Sequence, residues 1–154
     1  MRWIAPILWI GLALAVGCRG ETETPEARIR AVIDQIASAA EAKDVSGVKD
    51  HVADDFEDPH GRDRRELGQL LTFHTMRNQS VHVMTRVHDI TIRDDGRASV
   101  ELVAATAGRP IPESLPVAGL RADVYRIDAE FEERGGEWQL TWAQWTRATP
   151  AELF

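Results

Sequence analysis

With a single cysteine, Cys18, the chain can form no internal disulfide. It has no histidine pair spaced i, i+4, no Cys–His set of metal-ligand spacing and no glycine-rich phosphate loop, so no metal or cofactor is expected. Positive charge is also scarce: 18 Lys and Arg stand against 25 Asp and Glu, a formal charge of -7. A nucleic-acid partner is not expected on that balance, because affinity for a phosphate backbone comes from clustered cations. The acidic residues are scattered rather than blocked into a tail, which reads as a solvated surface. No internal repeat appears, and the length suits one domain.

The apolar run Trp3–Gly17 behind Arg2 is short for a membrane span and has the size of a signal-peptide core. Ala15-Val16-Gly17-Cys18 closes it. That ending resembles the bacterial lipobox, with alanine where leucine is commoner. The resemblance implies a signal peptide over residues 1–17, cleaved before a Cys18 that becomes acylated on sulfur and at its new N-terminus. Palmitate-type chains, at about 0.8 kcal/mol per buried methylene, then anchor the protein without spanning the bilayer. Residues 18–24 form the lipidated cysteine and a polar tether, and residues 25–154 the folded domain. Arg19 is not the aspartate that commonly retains such lipoproteins in the inner membrane, which implies an outer-membrane anchor facing the periplasm. An ordinary signal peptide with a stray cysteine and an uncleaved anchor remain as alternatives. Each of them exports the domain.

Within the domain, period decides the elements. Ile29, Val32, Ile33, Ile36, Ala37 and Ala40 recur at three-and-four spacing, with Thr24 as N-cap and Pro25 in the first turn, which predicts a first helix. Asp44 and Asp63 can cap two further helices, the last carrying Leu67, Leu70, Leu71 and His74 on one stripe. From Ser80 the period becomes two. Val81, Val83, Thr85 and Val87 alternate, Ile90 and Ile92 then change face, and Asp94-Asp95-Gly96 turns the chain into a partner strand over about residues 97–106. Residues 108–119 contain three prolines and read as a long loop. A third strand over about residues 120–133 follows, then Gly135-Gly136 and a strand in which Trp138, Leu140 and Trp142 alternate until Trp145 breaks parity. The tail from Thr149 reads as a loop. The result is an α+β domain: three N-terminal helices packed in a strongly curved four-stranded antiparallel sheet.

Between the helical and the strand halves lies Ala53-Asp54-Asp55-Phe56-Glu57-Asp58-Pro59-His60-Gly61, a turn crowded with titratable groups. This turn, the order of elements, Ala42-Lys43-Asp44 after the first helix and the Trp-rich last strand resemble the nuclear transport factor 2-like superfamily, which includes ketosteroid isomerases and SnoaL-like cyclases. The resemblance implies a cone-shaped cavity, with Ile36, Leu70, Ile127, Phe131 and Trp142 as expected ligand-pocket residues. It also places Asp58 where the isomerases carry their general base, an aspartate that works beside an oxyanion hole. The first-helix tyrosine of that hole corresponds here to Ile36, which donates nothing, leaving His74 and Tyr125 as candidate donors beside Asp58.

Three functional readings follow. The first is a membrane-anchored periplasmic domain that binds a small apolar ligand or an envelope partner without catalysis. The second is an isomerase-like or cyclase-like enzyme using Asp58 as base. The third is a homodimer built through the open sheet face, where Arg86, Glu101, Arg126, Asp128 and Glu130 would otherwise keep that face soluble. For Asp58 the plainer role is a turn residue whose carboxylate accepts from nearby backbone N–H groups.

Overall fold

The computed structural model describes residues 23–108 and 122–153. The expectations for residues 1–17, for Cys18, for most of the loop at 108–119 and for the start of the third strand lie outside the described residues. No helix among the described residues is long and apolar enough to cross a membrane.

Helix α1 spans Pro25–Glu41, and Thr24 Oγ1 accepts from the Ala27 N–H at 3.2 Å. Its Ile29 and Ile33 are buried, as the spacing predicts. Helix α2, Val45–Asp50, is capped by Asp44, which accepts from the Gly47 N–H at 2.9 Å. Helix α3, Arg64–Arg77, opens with a reciprocal capping box between Asp63 and Glu66.

Four antiparallel strands follow in the spatial order of the chain: β1 His82–Ile92, β2 Arg97–Ala107, β3 Asp123–Arg134 and β4 Glu137–Arg147. The two-residue loop between β3 and β4 needs positive φ at both positions, and Gly135 and Gly136 supply it at 61° and 86°. One β-bulge leaves His88 unpaired between Val87 and Asp89, which is the change of face expected there. A second leaves Thr141 unpaired, because Glu130 pairs with Trp142 while Phe131 pairs with Leu140.

The concave face of the curled sheet and the inner stripe of α1 form the main core, with Ile29, Ile33, Phe56, Val100, Phe131 and Trp138 at its centre. The convex face carries a smaller cluster of Val103, Ala105 and Val124, covered by Leu153. Residues Pro150–Leu153 form a 3-10 turn, so the tail is a docked element and not a loop. Periodicity could not signal a single anchoring leucine in so short a segment. Glu152 accepts from the Thr149 N–H and pairs with Arg126, and Arg86 Nη1 donates to the Leu153 carbonyl at 3.2 Å. Two of the charges expected to keep the sheet face soluble, Arg86 and Arg126, thus hold this 3-10 turn.

Candidate functional site

The turn after α2 is closed by its own backbone. The Asp58 N–H donates to the Arg62 carbonyl at 3.2 Å, the Gly61 N–H donates to the Asp58 carbonyl at 2.9 Å, and Gly61 takes a φ of 73° that a side chain would strain. Inside this loop sits the Asp58 carboxylate, the one buried charged or polar residue among the described residues, at 3% exposure. Its Oδ1 accepts from the His60 N–H at 2.8 Å and the Arg62 N–H at 2.9 Å, and its Oδ2 accepts from Arg62 Nε at 2.6 Å.

Burial alone would raise the Asp58 pKa. The Arg62 N–H, the Arg62 guanidinium and the His60 N–H outweigh it, and the carboxyl is held below its ordinary range. A general base needs a lone pair aimed at the substrate and a pKa near the working pH. Here both oxygens are engaged within the turn, and the group binds protons more weakly than a free aspartate.

Arg62 is the other half of this unit. Its guanidinium carbon lies 5.0 Å from the ring centroid of Trp145, a cation–π contact, and its side chain is 32% exposed. Only Nε is engaged by Asp58; Nη1 and Nη2 have no hydrogen-bond acceptor among the described residues. Trp145 pairs with Ile127 across β3 and β4, and both pack against the main core.

Two residues further along β4, Arg147 pairs with Tyr125; its guanidinium carbon is 5.8 Å from the tyrosine ring and its Nη1 is 3.2 Å from Asp123 Oδ1. Tyr125 is half-buried on the concave side, in register with Ala104. None of the hydrogen bonds of the Asp58 carboxylate involves Tyr125 or His74.

His74 is exposed, its ring edge-on to Phe73 at 6.2 Å, and not on a buried stripe. The physical reason is that α3 packs shallowly. Leu67 reaches the core and Leu70 and Leu71 are half-buried, while Phe73 and Met76 point outward at 56% and 81% exposure.

Of the expected pocket residues, Ile36, Leu70 and Ile127 are half-buried. Phe131, at 2% exposure, is packed within the core cluster. Trp142 is not on the concave face. The bulge at Thr141 shifts parity before it, so Trp142 joins Glu130 on the convex face and Trp145 turns inward. The parity break expected at Trp145 is real but begins four residues earlier.

Burial along the concave face is mixed. At the end nearest the β3–β4 turn, Ala98, Val100, Ala129, Phe131 and Trp138 are buried, and Ile90, Ile92 and Leu140 beside them are half-buried. At the other end of the same strands, Thr85, Tyr125, Ile127 and Trp145 are half-buried, and Ile36 is likewise half-buried on the α1 stripe beyond Ile33. The end of the concave face where Arg62 lies over Trp145 is half-open only in the sense that these four strand side chains are partly exposed, while Leu102, Ala104 and Ala143 between them are buried. A separate shallow groove of about 460 Å³ runs between α2 and α3, lined by Val45, Lys49, Arg65, Gln69, Phe73 and Met76 among others. No expected pocket residue lines it. No cluster of metal-ligating side chains occurs among the described residues.

Sequence reasoning missed Arg62 and Trp145 as site residues. Arg62 reads as part of a solvated helix start together with Arg64 and Arg65. The available signal was the spacing Asp58-Pro59-His60-Gly61-Arg62, which returns the arginine to the aspartate across a closed turn.

No family model matches the chain, and no curated protein matches it. Solved structures do. An uncharacterized protein with a cystatin-like fold from Caulobacter vibrioides is similar at a TM-score of 0.63 and 15% identity, over 82% of this chain and 91% of that one. A ketosteroid isomerase-like protein from Erwinia carotovora atroseptica is similar at 0.57 and 16% identity, over 80% and 96%. Bd1075 of Bdellovibrio bacteriovorus is similar at 0.62 and 11% identity over 79% of this chain, which spans 40% of the length of that protein. Such likenesses speak for architecture alone, and they agree with the three helices and curled four-stranded antiparallel sheet described above: the chain has the cystatin-like, nuclear transport factor 2-like α+β fold.

Proposed function

We propose that this protein is an exported, lipid-tethered binding domain that receives a small apolar ligand at the half-open end of its concave face and does not turn it over. The carrying observation is the state of Asp58. In the ketosteroid isomerases that this turn resembles the aspartate acts as base, whereas here Asp58 is buried and hydrogen-bonded through both oxygens. The partly exposed Ile36, Tyr125, Ile127 and Trp145 on the concave side supply the apolar surface that such a ligand would cover. The anchor at Cys18 rests on the lipobox-like ending of the apolar run.

Purification of the full chain from native membranes, followed by mass spectrometry of both protein and solvent extract, tests the whole reading. The expected result is a mature N-terminus at Cys18 carrying acyl mass, together with one or a few retained apolar molecules. An unmodified Cys18 removes the tether. Turnover of a hydrophobic ketone that is abolished in Asp58→Asn overturns the non-catalytic reading.

A further inference from the structure

The half-open end of the concave face carries a feature that an apolar ligand alone leaves unexplained. Arg62 reaches over Trp145 at 5.0 Å with its Nε fixed by Asp58 at 2.6 Å, so its position is set from both sides. Its terminal Nη1 and Nη2 edge has no acceptor among the described residues. The fork of a guanidinium matches the two oxygens of a carboxylate, and a guanidinium already immobilised loses little entropy on binding one. Two residues along β4, Arg147 lies over Tyr125, paired with Asp123 at 3.2 Å and with its side chain 75% exposed. Two cations on two neighbouring aromatic rings thus border the half-open end, in a chain whose formal charge is -7. Below them run the half-buried Ile127 and Thr85, and Ile36 is half-buried on α1.

We propose that the ligand is amphiphilic: an alkyl-chain carboxylate whose head is held by the Nη1–Nη2 edge of Arg62 at the Trp145 ring, with Arg147 offsetting the negative charge of Asp123 nearby, and whose chain enters the concave face. This rests on the binding reading above and gives its ligand a chemical class. Asp58 then has a purpose beyond the turn. By engaging Nε alone it leaves the Nη1–Nη2 edge free to donate.

Isothermal titration of the full chain held in lipid nanodiscs, with empty nanodiscs as reference, separates the two ideas. The ligands are octanoate, octyl phosphate and octanol. Octanoate is expected to bind at least tenfold more tightly than octanol and more tightly than octyl phosphate. Arg62→Gln is expected to erase the preference over octanol, and Arg62→Lys to keep less than a third of the octanoate affinity, since an ammonium cannot offer the fork. Arg147→Gln, at a side chain too exposed to unfold the domain, is expected to weaken octanoate about threefold at low salt and not at high salt. If octanol and octanoate bind wild type equally, or Arg62→Gln and Arg147→Gln both leave octanoate unchanged, the carboxylate assignment falls while apolar binding stands. Tighter binding of octyl phosphate overturns the assignment in favour of a phosphate head. If none of the three binds, the binding reading itself fails.

Discussion

Replacing Phe131 by alanine is expected to lower the thermal unfolding midpoint by about 18 °C while leaving ligand affinity per folded molecule unchanged. Phe131 is 2% exposed and packs among Ile29, Val100, Ala129 and Trp138 at the end of the concave face nearest the β3–β4 turn. Truncating a buried phenylalanine costs roughly 3–5 kcal/mol, from lost apolar transfer plus the cavity left behind, and in a domain of this size each kcal/mol moves the midpoint by about 4 °C. Strands β2 to β4 cannot collapse onto the void without breaking their ladders, which favours the upper half of that range. Circular dichroism melts beside ligand titration separate a core role from a pocket role. A small melting shift with a large loss of affinity would return Phe131 to the pocket wall.

Asp58→Ala carries the second large effect, a fall of about 12 °C. Removing one member of a buried charge pair, with its hydrogen bonds, costs roughly 3–5 kcal/mol, and the partial exposure of Arg62 puts the estimate at about 3. The alanine leaves the N–H groups of His60 and Arg62 facing an empty turn and frees the guanidinium from its Nε anchor. Asp58→Asn is expected to lose about half as much. Its amide oxygen can still accept from the two N–H groups, but its NH₂ would then face Arg62 Nε, donor against donor. The sign of the effect is diagnostic. A carboxylate kept strained for chemistry commonly costs stability, so its removal would raise the midpoint; an anchor lowers it.

The architecture was legible in the sequence wherever period and caps agreed. Ile29 and Ile33 fell on the buried stripe of α1, Thr24, Asp44 and Asp63 capped their helices, and paired glycines turned β3 into β4. What failed depended on parity or on depth, which no local pattern encodes. An unpaired Thr141 exchanged the faces of Trp142 and Trp145, and nothing in the run Trp138–Trp145 says which residue a bulge will leave out. His74 shared the spacing of Leu67 and Leu70, but spacing only aligns residues on one stripe. How far α3 tilts into the core is set by tertiary packing, and here it barely does. The Asp58–Arg62 unit was half legible: Pro59 and Gly61 announced the turn, while the return of Arg62 to the carboxylate and onto Trp145 needed three segments in place.

Protonation of Asp58 decides most directly between an anchor and a base. Carbon-detected nuclear magnetic resonance of the aspartate side-chain carboxyls, followed from pH 8 downward, reads it without any assumed substrate. The expected midpoint lies below the ordinary aspartate value of about 3.9, because the N–H groups of Arg62 and His60 and the Arg62 guanidinium favour the charged form over what burial costs it. A pKa depressed on folding stabilises the protein above the unfolded value, and that stability is lost as pH falls through the folded one, so unfolding should accompany the titration in acid. A midpoint of about 6 or higher, with the fold intact through the transition, would mean a carboxyl poised to take and give a proton near neutral pH, and would contradict the reading of Asp58 as a sealed anchor.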